Sequence, residues 1–229
     1  MSKLSVSKYY FNSKPIFACL SKDELLSFKS SITLKKIKKG RELFEEGTYP
    51  KGVYILKRGK VKIYQRTPNG GEQIIYIYTP GEMFGYRPLL CGDKHPASAM
   101  TLEECGIYFM TKASFVQALQ NSPVLSTILL RNLSHEFTVL VNHIAAFAQK
   151  SAKERIALSL LILQEKYRKP GSKQSSEISL SRADLASFAG TTNETLARTI
   201  SRFRAEKVIK INGRKITIHN EAALYALTE

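Results

Sequence analysis

The sequence predicts an α+β protein: a first half of short antiparallel strands, then one long helix, then a small helical domain closed by a hairpin. Three observations predict it. Between Thr33 and Phe109, β-rich runs such as VYILKRGKVKIYQ and EQIIYIY are broken by Gly40, Gly47, Gly59, Gly70-Gly71, Gly81 and Gly85, the pattern of an antiparallel roll or jelly roll. After Phe109 the β pattern stops. Leu125, Leu129, Leu133, Phe137, Leu140, Ile144 and Phe147 then recur at steps of three and four, the spacing of a helix with a coiled-coil-like stripe. Finally, residues 178–218 (ISLSRADLASFAGTTNETLARTISRFRAEKVIKINGRKITI) hold two short amphipathic segments, a break, and two alternating runs around Asn212-Gly213.

Each element has a local cause. Residues 4–31 read as an irregular start with a short helix near Ser21 to Ser30. In the β-rich half, Lys35, Lys36, Lys38 and Lys39 protect a strand edge from pairing with other chains. Lys112 to Asn121 reads as a short helix. Pro123 stands where proline is tolerated, at the start of the long helix, which runs to about Ala148. Ile128, Val139 and Val141 widen its stripe, so one side is expected on the chain's own sheet and the other against a second subunit. Near Gln149 to Lys153 the apolar phase breaks, which predicts a hinge. A further helix, Ala152 to Tyr167, leads into the polar, turn-rich 169–176, an exposed loop. The expected domains are therefore 1–121, 122–149 and 150–229.

Residues 178–218 take the form of a winged helix-turn-helix. Ser181, with Asp184 three residues on, caps the first helix, whose apolar face is Leu185, Ala186, Phe188 and Ala189. Gly190 permits the sharp turn, since glycine enters the left-handed region without steric cost. Thr191 or Thr192 caps the second helix. Leu196, Ile200 and Phe203 face its core side; Asn193, Glu194, Arg198 and Arg202 fall on the other, the side that such proteins lay in the major groove. Val208 to Ile211 and Lys215 to Ile218 flank Asn212-Gly213, a strong hairpin signal. This hairpin is the wing, with Arg214 and Lys215 at its tip.

Charge agrees with a polyanionic partner. The chain carries a net charge of +16, with a pI near 9.8, and from Lys150 onward 15 Lys/Arg stand against 8 Asp/Glu. A basic domain with this motif is the electrostatic footprint of double-stranded DNA binding. No apolar run approaches the roughly 20 residues that span a bilayer, and no basic, apolar and small-residue series marks a secretory signal; a cytoplasmic location and no membrane partner are expected. Cys19, Cys91 and Cys105 are far apart, so neither a disulfide framework nor a metal-binding cysteine pair is read. His95, His135, His143 and His219 are scattered. With no nucleophile motif, phosphate loop or paired carboxylates, an enzyme is not expected.

In this order, β-roll, long helix, hinge and winged helix-turn-helix resemble the Crp/Fnr family of bacterial transcription regulators, from about residue 15 to residue 220. The matching segments are the glycine frame with Gly59 in KRGKVKIY, PGEMFGYRPLL at the family's ligand pocket, and SRADLASFAGTTNETLARTISRF at its DNA-binding helices. The resemblance implies a homodimer on near-palindromic operators. It implies base reading by Glu194 and Arg198: carboxylate accepts from cytosine N4, and guanidinium donates two bonds to guanine. Asn193 replaces an Arg of cAMP-binding members and suits adenine or a phosphate. Arg182, Thr192, Thr195 and Arg214 match positions that contact the DNA backbone. By the same analogy, residues 166–177 are a candidate RNA polymerase contact.

At the effector pocket the chain departs from the family's cAMP-binding pattern. The Glu that follows the pocket glycine, Gly85, is here Tyr86. The Arg-Ser pair that holds the cyclic phosphate aligns with Pro96-Ala97, and two base-contacting helix residues align with Leu140 and Val141. A phosphate without its Arg would be buried unpaired, which costs several kcal/mol, so tight cAMP binding is not expected. Tyr86, Arg87, Ser98 and Leu140 either line a pocket for an unknown small molecule or merely fill it. The cysteine cluster of the iron–sulfur members is missing, so no cofactor is expected. Two other readings stay open: a cyclic-nucleotide-dependent regulator, and a small-molecule sensor module with no DNA role.

Overall fold

The computed structural model describes residues 5–11, 16–18, 20–68, 70–168 and 176–228. No helix among them is long and apolar enough to cross a membrane. The chain forms two compact units: residues 12–135, and residues 1–11 with 136–229. The sequence divisions at 121/122 and 149/150 fall at helix ends, whereas packing divides the chain within the long helix. Packing also assigns residues 5–11 to the second unit, because Val6, Tyr9 and Phe11 are buried there.

The first unit begins with α1 (Lys22–Ser30), started by a capping box in which Ser21 accepts from the Glu24 N–H and Glu24 accepts from the Ser21 N–H. Eight strands follow: β1 (Ile32–Ile37), β2 (Glu42–Phe44), β3 (Gly52–Arg58), β4 (Val61–Arg66), β5 (Glu72–Tyr78), β6 (Met83–Phe84), β7 (Ser98–Thr101) and β8 (Cys105–Thr111). They make two four-stranded antiparallel sheets, ordered β1-β8-β3-β6 and β2-β7-β4-β5. β1 is an edge strand, and its lysines are exposed along it; the Lys35 ammonium lies 4.4 Å from the Phe109 ring centre.

Phe44, Tyr54, Tyr78 and Phe84 form an aromatic cluster within the roll, with Tyr78 and Phe84 stacked at 4.9 Å. A second core joins Val53, Ile55 and Met110 of the first sheet to Phe28 of α1, Phe115 of α3 (Lys112–Asn121), and Leu125 and Leu129 of α4 (Pro123–Gln149). One helix here has no counterpart in the sequence reading. It is α2 (Arg87–Cys91), with proline in its first turn and Gly92 closing it in the left-handed region. Five residues are too few to show a period.

The broad stripe of the long helix divides into two faces. Leu125, Leu129, Val139 and Ala146 are buried. Thr127, Leu130, Ser134, Phe137, Val141, Ile144 and Ala148 are all exposed, at alternating steps of three and four; Leu130, Phe137 and Ile144 are each about two-thirds exposed, at 67%, 67% and 69%. Phe137 and Ile144 therefore part company with Leu125 and Leu129. Leu133 and Leu140 are half-buried between the faces.

In the second unit α5 (Ala152–Tyr167) is central, with Ile156, Leu160 and Leu163 fully buried. Ser151 and Glu154 start it with a capping box. The predicted hinge is a short corner: the Lys150 N–H still bonds the Ala146 carbonyl, and Ser151 already caps α5. Then come β9 (Ile178–Ser179), α6 (Arg182–Ala189), α7 (Asn193–Ala205), β10 (Ile209–Asn212), β11 (Lys215–Ile218) and α8 (Glu221–Ala226). The small sheet is ordered β10-β11-β9; β9 is a third strand that two residues could not announce. Residues 169–175 of the predicted loop, the centre of the candidate polymerase contact, lie outside the described residues, as does Cys19.

Candidate nucleic-acid interface

Local chemistry builds the helix-turn-helix as the spacing suggests. Ser181 accepts from the Asp184 N–H at 3.0 Å and donates its own hydroxyl to Asp184 Oδ2 at 2.5 Å, so the aspartate returns the bond to the capping side chain. Gly190 ends α6 at φ 60°, ψ 48°. A Cβ there would lie 2.2 Å from Phe147 Cε1 of α4, so glycine serves both the turn and a close approach. Of the two threonines, Thr192 is the cap: its Oγ1 accepts from the Thr195 N–H at 3.2 Å.

These caps orient α7 so that Leu196, Ile200 and Phe203 are buried and Asn193, Glu194, Arg198 and Arg202 are exposed. Glu194 sits in the first turn, where the backbone N–H and the Thr192 hydroxyl hold its carboxyl below the usual carboxylate range. It is an ionised acceptor at neutral pH. Arg198 Nη2 reaches Thr195 Oγ1 at 3.4 Å, a long contact that leaves the guanidinium at the surface. Arg202 is exposed but pairs with Glu206 at 2.7 Å one turn on; it would have to release that carboxylate to bond a phosphate.

The wing differs in register from the expected turn. Asn212 pairs with Lys215, so Gly213-Arg214 is the two-residue loop instead of Asn212-Gly213. Gly213 takes φ 56° while Arg214 has no positive φ, the glycine-first pattern of a type II′ hairpin. Arg214 is thus exposed at the tip. Lys215 forms an ion pair with Glu177 at 2.6 Å. Arg182 is half-buried; its Nη2 donates to the Gly213 carbonyl at 3.2 Å, while its Nη1 is buried with no hydrogen-bond partner among the described residues. It braces the wing against α6, a role that spacing could not reveal because the partner is a backbone carbonyl 31 residues away.

Within the first unit, the residues of the predicted effector pocket meet different neighbours. Gly85 has φ 81°. Tyr86 is 1% exposed and belongs to the core of Phe28, Phe115 and Leu125. Arg87 turns to the Tyr78 hydroxyl at 3.3 Å. Pro96 is exposed and its carbonyl accepts from Gln65; Ala97 and Ser98 are buried, and the Ser98 hydroxyl accepts from the Glu46 N–H at 3.0 Å. Leu140 and Val141 belong to the second unit, the first half-buried and the second exposed. His95, in the first unit, is buried and stacked on Phe44 at 3.8 Å.

A basic winged helix-turn-helix whose second helix offers a carboxylate and guanidinium groups to solvent, following an antiparallel roll and a long helix, defines a DNA-binding transcription regulator. Residues 34–122 match the cyclic nucleotide-binding domain family, and residues 154–227 match the Crp-like helix-turn-helix domain. The chain is 30% identical over 210 residues to the fumarate and nitrate reduction regulatory protein of Vibrio cholerae, covering 91% of this chain and 84% of that protein. It is 30% identical over 213 residues to the protein of that name from Escherichia coli K12, covering 91% and 84%. Among solved structures it resembles FixK2 of Bradyrhizobium japonicum, with a TM-score of 0.77 and 23% identity over 86% of this chain and 98% of that one. The chain belongs to the Crp/Fnr family.

Proposed function

We propose that the protein works as a homodimer that reads near-palindromic DNA with α7, and that it does so without cAMP. The observation that carries DNA reading is the exposed face of α7. Glu194 is held ionised at the helix start, and Arg198 stands one turn further along the same face. A carboxylate and a guanidinium in that position suit cytosine N4 and guanine O6/N7, with Asn193 beside them for adenine or a phosphate. Thr192, Thr195 and Arg214 serve the DNA backbone, and Arg202 joins them on releasing Glu206. Binding duplexes selected from a random library tests this. Arg198→Ala weakens the selected operator by about 1–3 kcal/mol, the worth of a bidentate base contact, and leaves unrelated duplexes unchanged. Equal affinity of the wild type for operator and unrelated DNA overturns the reading.

The exposed stripe of α4 supports the dimer. Thr127 to Ala148 keeps heptad spacing with Leu130, Phe137, Val141 and Ile144 uncovered, and such a seam is buried by a second copy of the same helix. Two recognition helices then meet successive major grooves about 34 Å apart.

The effector reading rests on chemistry. At the phosphate position stand Pro96 and Ala97, and Ser98 already binds a backbone N–H. A cyclic phosphate there would lack its arginine. Calorimetry with cAMP is expected to show no micromolar binding; a micromolar Kd would restore the cyclic-nucleotide reading. An iron–sulfur cluster held by four thiolates does not fit a chain with three cysteines. One of them, Cys105, is buried with its thiol donating to the Lys60 and Glu103 carbonyls, and burial pushes that thiol's pKa up. With DNA as partner, the protein acts in the cytoplasm and is not an enzyme.

A further inference from the structure

One arginine outside the DNA-facing surface joins three elements of the second unit. Arg155 lies in the first turn of α5 and is half-buried. Its Nη1 donates to the Lys150 carbonyl at 2.8 Å, at the corner after α4. Its Nε and Nη2 donate to the carbonyls of Ala189 and Gly190, at 3.1 and 2.8 Å, where α6 ends. The guanidinium carbon also stands 5.6 Å from the ring centre of Phe147, in the last turn of α4. The same ring meets the open face of Gly190, where no Cβ would fit.

The bonding follows from helix ends. Carbonyls at a helix C-terminus lack partners in their own helix and carry the negative end of its dipole. Two such ends converge here, and a planar cation with diverging N–H groups satisfies both at once. A lysine, with one compact ammonium, cannot span three carbonyls in this way. The ring contact and the three bonds together leave the end of α4 and the end of α6 little freedom to turn relative to each other. α7 begins at Asn193, three residues beyond Gly190, so the same clamp sets the direction of α7 against α4.

We propose that Arg155 is a positioning residue that fixes the separation and phase of the two recognition helices, and so sets which half-site spacing the protein accepts. This rests on the reading of a dimer joined along α4. In such a dimer the α4 pair is the frame, and any play between α4 and α7 becomes play between half-sites. Each base pair added between half-sites moves one of them by about 3.4 Å and turns it about the DNA axis. A rigid joint rejects that change, and a loose one tolerates it.

The test uses full-length wild type, Arg155→Lys and Arg155→Met. The DNA is the palindrome selected by the wild type, the same palindrome with one or two base pairs added or removed at its centre, and a single half-site. The wild type is expected to favour one spacing over its neighbours by about tenfold or more, the gain of linking two sites in a matching geometry. Both variants are expected to bind the best spacing about tenfold more weakly and to flatten the preference to about threefold or less, with half-site affinity unchanged. Arg155→Lys keeps the charge and the aliphatic stem, so it carries the test if Arg155→Met does not fold. An unaltered spacing profile in a folded variant overturns the proposal. So does a loss that is equal on half-site and palindrome, which marks a purely structural residue. A wild type that binds half-site and palindrome equally well overturns the dimer reading itself, and the spacing role with it.

Discussion

Gly190→Ala is a substitution whose cost can be worked out in two separable parts. The residue has φ 60° and ψ 48°, a conformation that costs an L-residue roughly 1–2 kcal/mol. The added methyl would also sit 2.2 Å from Phe147 Cε1, a severe overlap, and 3.0 and 3.1 Å from Cδ1 and Cζ of the same ring. Relieving that overlap means moving a ring that packs beside the Arg155 guanidinium, and overpacking of this kind typically costs about 1–3 kcal/mol. The single variant should therefore lose about 2–5 kcal/mol. Urea unfolding followed by circular dichroism measures it, with Phe147→Ala and the double variant completing a cycle. If the ring is the obstacle, the double variant loses less than the sum of the singles by about 1–3 kcal/mol, and the left-handed penalty remains. Strict additivity would refute the claim that glycine is needed there for close approach, and a neutral Gly190→Ala would refute both parts.

Other outcomes follow from the same geometry. Arg214→Ala, at the wing tip, is expected to weaken operator and unrelated DNA alike and to reduce the slope of log affinity against log salt by about 1, read by titration at several salt concentrations. Phe137→Asp with Ile144→Asp places charges on the exposed seam of α4, and sedimentation should show monomers that keep the wild-type circular dichroism spectrum. His143 Nε2 lies 2.8 Å from the Tyr9 carbonyl, which can only accept, so Nε2 carries the proton; burial, helped by the neighbouring Lys166, holds this histidine's pKa below its ordinary 6.5 against the raising effect of the Tyr9 carbonyl. Burial does the same to His95. As pH falls through 6.5 the unfolded imidazoles protonate first, so stability is full above that pH and falls below it. Urea midpoints at pH 7.5 and 5.5 should show the decline, and His143→Gln should lessen it.

Much of the second unit was legible in the sequence because its causes are local. Ser181 as cap and Gly190 as turn residue act within three or four residues of themselves, so the first cap, the turn and the helix faces follow from spacing, which left the second cap between Thr191 and Thr192. The same holds for the strands of the roll, whose glycines mark its turns. Phe137 and Ile144 show the limit of periodicity. A stripe at steps of three and four says that a helix has an apolar side, but 3.6 residues per turn lets two adjacent faces share one pattern. The hairpin turn lies one residue beyond Asn212-Gly213, since Asn212 is itself paired with Lys215.

By itself the sequence determined the order of elements, the α+β class and the residues that the recognition helix turns outward, since each depends on contacts short in sequence or on charge. Only the tertiary structure decided that Arg182 braces the wing, that Tyr86 is built into the core, that residues 5–11 pack with the second unit, and that Arg155 joins α4 to α6. Their partners are carbonyls and rings brought close by folding across tens of residues, and a backbone carbonyl has no letter in a sequence by which it could be foreseen.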